Sequence, residues 1–166
     1  MIKKINTILY ATDLSKNSAY AFRYAINSAQ KHDARIHILH ALEPPSVRTF
    51  DYVDPFKFDK IRKGAKKEVL NEIKKRLEEF CQRELKDHPE YLERVASVQV
   101  VEGYPTEEIL QKAAECNADM VITGTHSKGA LAHAFLGSVA EAVLNRSKIP
   151  VFIIPIPKET DISFGD

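Results

Sequence analysis

The residues best suited to chemistry lie between Gly124 and Val139, in the stretch GTHSKGALAHAFLGSV. Gly137-Ser138 stands where a helical pattern begins. A helix N-terminus presents unpaired backbone N–H groups and a partial positive charge, so it takes anions readily. Gly137 has no Cβ to hold a phosphate off the backbone, and Ser138 adds a hydroxyl donor. Gly124 ends an apolar run and leaves room at its tip, while His126 and Lys128 offer further donors between the two ends. Asp13, just after the first apolar run, suits ribose hydroxyls, as acidic residues do in other nucleotide folds. The chemistry in view is the holding of a phosphorylated, sugar-bearing ligand.

Each of these residues has a plainer reading. Ser138 with Glu141 matches a capping box. Gly124 serves a strand-to-loop turn, and Asp13 or Ser15 caps the first helix. A lone His126 is an ordinary surface histidine. The chain has no GxxxxGK[ST] and no GxGxxG after a strand, so a phosphate loop and a long capped turn both stay open on the residues alone.

The elements that must position these residues follow from hydrophobic periodicity. Apolar runs at 8–11, 36–42, 120–124 and 151–155 are β-branched and nearly continuous, which predicts strands covered on both faces. The run at 95–101 alternates, with Ser97 and Gln99 interrupting, and predicts an edge strand. Helical stripes fall between them. One starts at Ser15 and carries Ala19, Phe22, Ile26 and Ala29; the next carries Ile61, Ala65, Val69, Ile73, Leu77 and Phe80. A third opens at Pro105 with Glu107 and Glu108 behind it, where the helix dipole favours acids. A fourth starts at Ser138.

The order β-α-β-α-β-α-β-α-β predicts an α/β fold, a parallel sheet with helices on both faces. Ligands of such open sheets bind outside the carboxyl ends of the strands. That focuses attention on Thr12-Asp13, Ala41-Leu42 and Gly124 onward. The segment 43–59 is read as a long connection holding Phe50, Tyr52, Phe56 and Phe58, either an interaction surface or a cover for the sheet edge or pocket. The tail 158–166 is expected to be disordered, which leaves one domain over 1–157.

Bulk composition bounds the function. The 166 residues carry 24 Lys and Arg against 23 Asp and Glu, so no broad field draws the chain to nucleic acid or an acidic membrane. The two cysteines, Cys81 and Cys116, lie far apart on helical patterns and predict reduced thiols in a cytoplasmic protein. No run approaches the roughly 20 apolar residues of a membrane span.

From Ile5 to about Pro157 the chain resembles a universal stress protein. The resemblance is carried by ILYATDLSKNS at the first strand, by GYPTEEIL at the third helix, and by the whole run from GTHSKGALAHAFLGSV through VFIIP. It implies a Rossmann-like, adenine-nucleotide alpha hydrolase-like sheet in the order 3-2-1-4-5. In the ATP-binding branch of that family the loop reads Gly, two residues, Gly, nine residues, Gly, then Ser or Thr. Gly124 and Gly137-Ser138 match, whereas Ser127 stands at the middle glycine. The resemblance then implies ATP or AMP as ligand, with magnesium bridging phosphates. It places Ala11 and Thr12 in the pocket wall, Asp13 at the ribose and the Ala41 backbone at the adenine edge. Gly124, His126, Ser127 and Lys128 follow the phosphates on one side, and Gly137, Ser138 and Val139 hold them at the helix. It also implies a homodimer through the last strand, Val151, Phe152, Ile153 and Ile154.

Three function classes compete. The leading expectation is a nucleotide-binding regulator of the stress response. A scaffold acting through protein contacts is the alternative, motivated by Ser127 and the aromatic segment 43–59. An enzyme is not expected. ATDLSKNS is not the Ser-Gly-Gly phosphate loop of the related ATP pyrophosphatases, and the strand ends lack the acidic cluster of a phosphoacceptor domain. Slow turnover of bound magnesium-ATP by water is compatible with this reading, without catalytic purpose.

Overall fold

A computed structural model describes residues 2–15, 17–44, 55–125 and 136–157, with backbone alone for 55–62 and 65. The elements run β1 (Thr7–Ala11), α1 (Ser18–His32), β2 (Arg35–Leu42), α2 (Pro55–Glu84), a 3₁₀ turn (Pro89–Arg94), β3 (Val95–Glu102), α3 (Pro105–Glu115), β4 (Met120–Gly124), α4 (Ser138–Arg146) and β5 (Val151–Ile154). All five strands are parallel, in the order β3-β2-β1-β4-β5. β3 takes an edge, as its alternation predicts, and β5 takes the other.

Pleat alternation explains the near-continuous apolar strands. Along β1, Ile8 and Tyr10 point to one face and join Phe22, Ala25 and Ile26 of α1 with Leu77 and Cys81 of α2. Leu9 and Ala11 point to the other face, against Ile109 and Ala113 of α3 and Val143 of α4. Both faces are therefore dry at the centre of the sheet, where Ile8, Leu9, Ile36, Val121 and Ile122 have no exposed surface.

Two helix starts and one cap differ from expectation. α1 begins at Ser18 with Asn17 as its N-cap residue, and no side-chain cap bond is made there. Ser15 is not its cap residue; it lies in the turn ahead of the helix, its carbonyl accepting the Ser18 amide at 3.0 Å and its own amide donating to the Asp13 carboxylate at 2.9 Å. α2 begins at Pro55, inside the segment read as loop; proline at a first helical position forgoes only an N–H the helix does not use. Phe56 and Phe58 thus fall on α2, although their side chains, like all of Phe50 and Tyr52, lie outside the described residues. At α4, Gly137 is the N-cap residue and Ser138 the first helical residue, so the expected capping box is displaced by one position and does not form. Of the expected α2 stripe, Leu77 is buried but Val69 is 48% exposed. The tail 158–166 lies outside the described residues.

α3 begins as predicted, with Pro105 at its first position and Glu107 and Glu108 in its first turn. Among the described residues no helix is long and apolar enough to cross a membrane.

Candidate functional site

A cavity of about 610 Å³ opens at the carboxyl ends of β1, β2 and β4, facing the start of α4. β1 and the turn after it contribute Ala11, Thr12 and Asp13, and β2 contributes Ala41. Gly124 closes β4, and Gly137, Ser138 and Val139 bring the helix terminus to the same space. Residues separated by more than a hundred positions converge because β1 lies between β2 and β4 in the sheet. His126, Ser127 and Lys128 lie outside the described residues.

The turn after β1 is tightly organised. The Thr12 amide donates to the Leu39 carbonyl at 2.9 Å. The Thr12 hydroxyl oxygen accepts the Leu14 amide at 3.2 Å, and Asp13 Oδ1 accepts the Ser15 amide at 2.9 Å. Leu14 itself has φ 57°, a left-handed conformation that a leucine adopts only under constraint. Such side-chain to backbone bonds are how Thr and Asp specify turns. The result holds Asp13 exposed at the cavity rim while Thr12 stays buried beneath it.

At the opposite wall, Gly137 has φ 87° and ψ 144°, backbone territory that belongs to glycine. The Glu141 amide donates to the Gly137 carbonyl at 2.9 Å. The amides of Ser138, Val139 and Ala140 precede that first helical bond, so the helix supplies no acceptor for them. This wall is thus an anion-receptive surface, with the helix dipole directed into the cavity.

Gly124 behaves differently from expectation. A Cβ there would stand 3.1 Å from Ile156 Cδ1 and 3.6 Å from the Ala21 Cβ, so its missing side chain makes room for the chain's own Ile156. Next to it, the Thr125 amide donates to the Ile154 carbonyl at 2.9 Å, and Thr125 Oγ1 accepts the Ile156 amide at 2.8 Å. Residue 124 therefore forms cavity wall through its backbone, and its smallness serves packing.

Several lining residues were not anticipated from the sequence: His40, Glu43, Thr125, Leu136 and Ile156. Glu43 and Thr125 directly follow strands, and the rule about strand ends covers them. Ile156 carries no such signal. Tyr10 reaches the cavity floor, and its hydroxyl donates to the Ser18 carbonyl at 3.1 Å. Burial pushes that phenol well above its ordinary range, which keeps it a protonated donor. Among the described residues no group of three or more His, Cys, Asp or Glu side chains could hold a metal ion.

Comparison with known proteins accords with this architecture. The sequence model of the universal stress protein family matches residues 4–155. A universal stress protein of Methanocaldococcus jannaschii, MJ0531, is 30% identical over 158 residues, covering 92% of this chain and 83% of the relative. The universal stress protein UspA from Lactobacillus plantarum superposes with a TM-score of 0.68 at 19% identity, over 92% of this chain and 99% of that one. A universal stress protein from Archaeoglobus fulgidus, solved in complex with dAMP, superposes with a TM-score of 0.50 at 21% identity, over 92% of this chain and 99% of that one. With the family match spanning nearly the whole described sheet, the chain belongs to the universal stress protein family.

Proposed function

We propose that this cavity binds an adenine nucleotide, ATP or AMP, and that the protein is a cytoplasmic regulator of the stress response without a catalytic role. The observation that carries the reading is the pairing of Asp13 on one rim with the start of α4, preceded by Gly137 at its cap position, on the other, both lining one space. A carboxylate suits ribose hydroxyls, and first-turn amides suit phosphate. The dAMP carried by the Archaeoglobus relative supports the same ligand class.

In this reading Ala11 and Thr12 form the wall, and the Ala41 backbone meets the adenine edge. Gly124 borders the phosphates through its main chain, with His126, Ser127 and Lys128 following them. Gly137, Ser138 and Val139 receive the phosphates at the helix. Magnesium would bridge phosphate oxygens of ATP, held by the nucleotide more than by the protein. The protein acts as a homodimer through β5. That strand sits at the sheet edge with Phe152 41% exposed, whereas Ile154 turns its side chain into the core and offers only backbone. An uncovered edge strand invites pairing, and a second copy satisfies it.

Calorimetric titration with ATP and with AMP, at millimolar magnesium, tests the reading. Heat of binding and a raised melting temperature support it; the lack of both rejects it. Ser127 at the middle loop position favours one second reading, a scaffold without ligand. Binding gained by Ser127→Gly where the natural protein shows none would support the scaffold.

A further inference from the structure

His40 lies one residue before Ala41 on β2 and lines the same cavity. Its Nδ1 is 2.8 Å from the carbonyl oxygen of Thr12. A carbonyl only accepts, so Nδ1 carries a proton and donates, and this bond fixes the ring's tautomer when neutral. The Thr12 amide already donates to Leu39 on the same strand. β2 therefore grips Thr12 from both sides of its residue, by the Leu39 main chain and by the His40 ring.

The location gives the bond its meaning. Paired residues of β1 and β2 end at Ala11 and Leu39; beyond Ala11 the chain of β1 leaves the sheet, while β2 continues beside β3 to Leu42. The ring supplies one more cross-strand bond where the backbone ladder stops. Directly after it come the two bonds local to the turn, Leu14 amide to Thr12 Oγ1 and Ser15 amide to Asp13 Oδ1, and the left-handed Leu14. A strained turn of this kind persists only where its surroundings hold it, and His40 ties it to a different element.

We propose that His40 is a positioning residue for the cavity. By holding the Thr12 carbonyl, its ring sets the turn after β1 and so presents the Asp13 carboxylate to a ligand's hydroxyls. The part concerning the turn stands by itself, while the part concerning the ligand rests on the nucleotide reading above.

The test compares His40→Leu, which removes the donor, with His40→Asn, whose amide N–H falls near the place of Nδ1, and His40→Gln, whose amide falls nearer the place of Nε2. The first readout is hydrogen exchange at the Leu14 and Ser15 amides in the ligand-free protein. The second is the dissociation constant for AMP and for ATP, measured first on the natural protein. His40→Leu is expected to speed exchange at both amides and to weaken nucleotide about tenfold, the scale of one hydrogen bond. His40→Asn is expected to restore both within about threefold, and His40→Gln to restore neither. That rescue pattern separates positioning from mere filling of space.

Unchanged exchange in His40→Leu, or an asparagine variant as impaired as the leucine one, overturns the proposal. Should His40→Leu fail to fold, the asparagine and glutamine variants decide, and equal behaviour of the two overturns it. If the natural protein takes up neither nucleotide, the exchange pattern alone decides on His40, and the nucleotide reading falls separately.

Discussion

The space that a side chain at residue 124 would fill is held by Ile156, whose Cδ1 lies 3.1 Å from the position of such a Cβ. The end of β4 and the segment after β5 are thereby fitted to each other at the cavity rim, with Thr125 Oγ1 accepting the Ile156 amide as a second tie. Adding a methyl at 124 crowds Ile156, while replacing glycine in a strand recovers roughly 0.5–1 kcal/mol of backbone entropy. Gly124→Ala is therefore expected to change stability little or to lower it. In an Ile156→Ala background the same change should be more favourable by at least about 0.5 kcal/mol. Denaturant unfolding of the four proteins measures this coupling, and additive effects would show that Ile156 does not use the space.

Gly137 has no comparable freedom. Its φ of 87° puts any L side chain in a strained backbone region, at a cost of about 1–3 kcal/mol. Gly137→Ala should lower the melting temperature, at on the order of 2–4 °C per kcal/mol for a chain of this size. Ser138→Ala should leave it nearly unchanged, because Ser138 is the first helical residue and not the cap. Thermal scans of both variants check the contrast, and a loss of stability in Ser138→Ala as large as in Gly137→Ala would contradict it.

Asp119 pins the opposite end of the sheet. Its Oδ2 accepts the Asn6 amide at 2.9 Å and the Thr7 amide at 3.1 Å, and Lys3 Nζ lies 3.2 Å from Oδ1. The Asn6 amide foremost, with Thr7 and Lys3, holds the carboxyl below its ordinary value of 3.8. A lowered carboxyl contributes stability in full above that ordinary value and loses it as pH falls through the folded one. Asp119→Ala should cost about 1–2 kcal/mol at pH 7, with the gap to the natural protein narrowing below pH about 4. Urea unfolding across that range measures it; a gap that stays constant would show that the charge of Asp119 plays no part.

The edge strand makes its own prediction. Phe152→Lys adds a charge to the exposed side of β5, a change that blocks strand-to-strand association. Light scattering at about micromolar protein should find the natural chain at twice its 18.8 kDa mass and this variant at the single mass. A natural chain at the single mass would contradict dimerisation through this edge.

Much of this architecture is legible in the residues. The β-branched runs locate all five strands, the Ser97 and Gln99 interruptions place β3 at an edge, and the strand-end rule brings Asp13, Ala41 and Gly124 toward one site. Helix starts are less legible, because Ser15 and Ser138 are both competent caps. The structure chooses otherwise: α1 begins three residues after Ser15 with Asn17 at its cap position, and Gly137 takes the cap position of α4, one residue before Ser138. His40 escapes notice because its bond to Thr12 depends on the β1–β2 register, which no single run reveals. Ile156 lies beyond the last strand, where no periodicity applies, so its claim on the space at Gly124 is visible only in three dimensions.

The most direct measurement of the central claim is a residue-resolved NMR titration of the natural protein with AMP and with ATP. Binding as proposed shifts the amide resonances of Thr12, Asp13 and Ala41 together with those of Ser138 and Val139, saturating with one dissociation constant. Unmoved resonances at millimolar nucleotide, or shifts confined to residues away from this cavity, would contradict it.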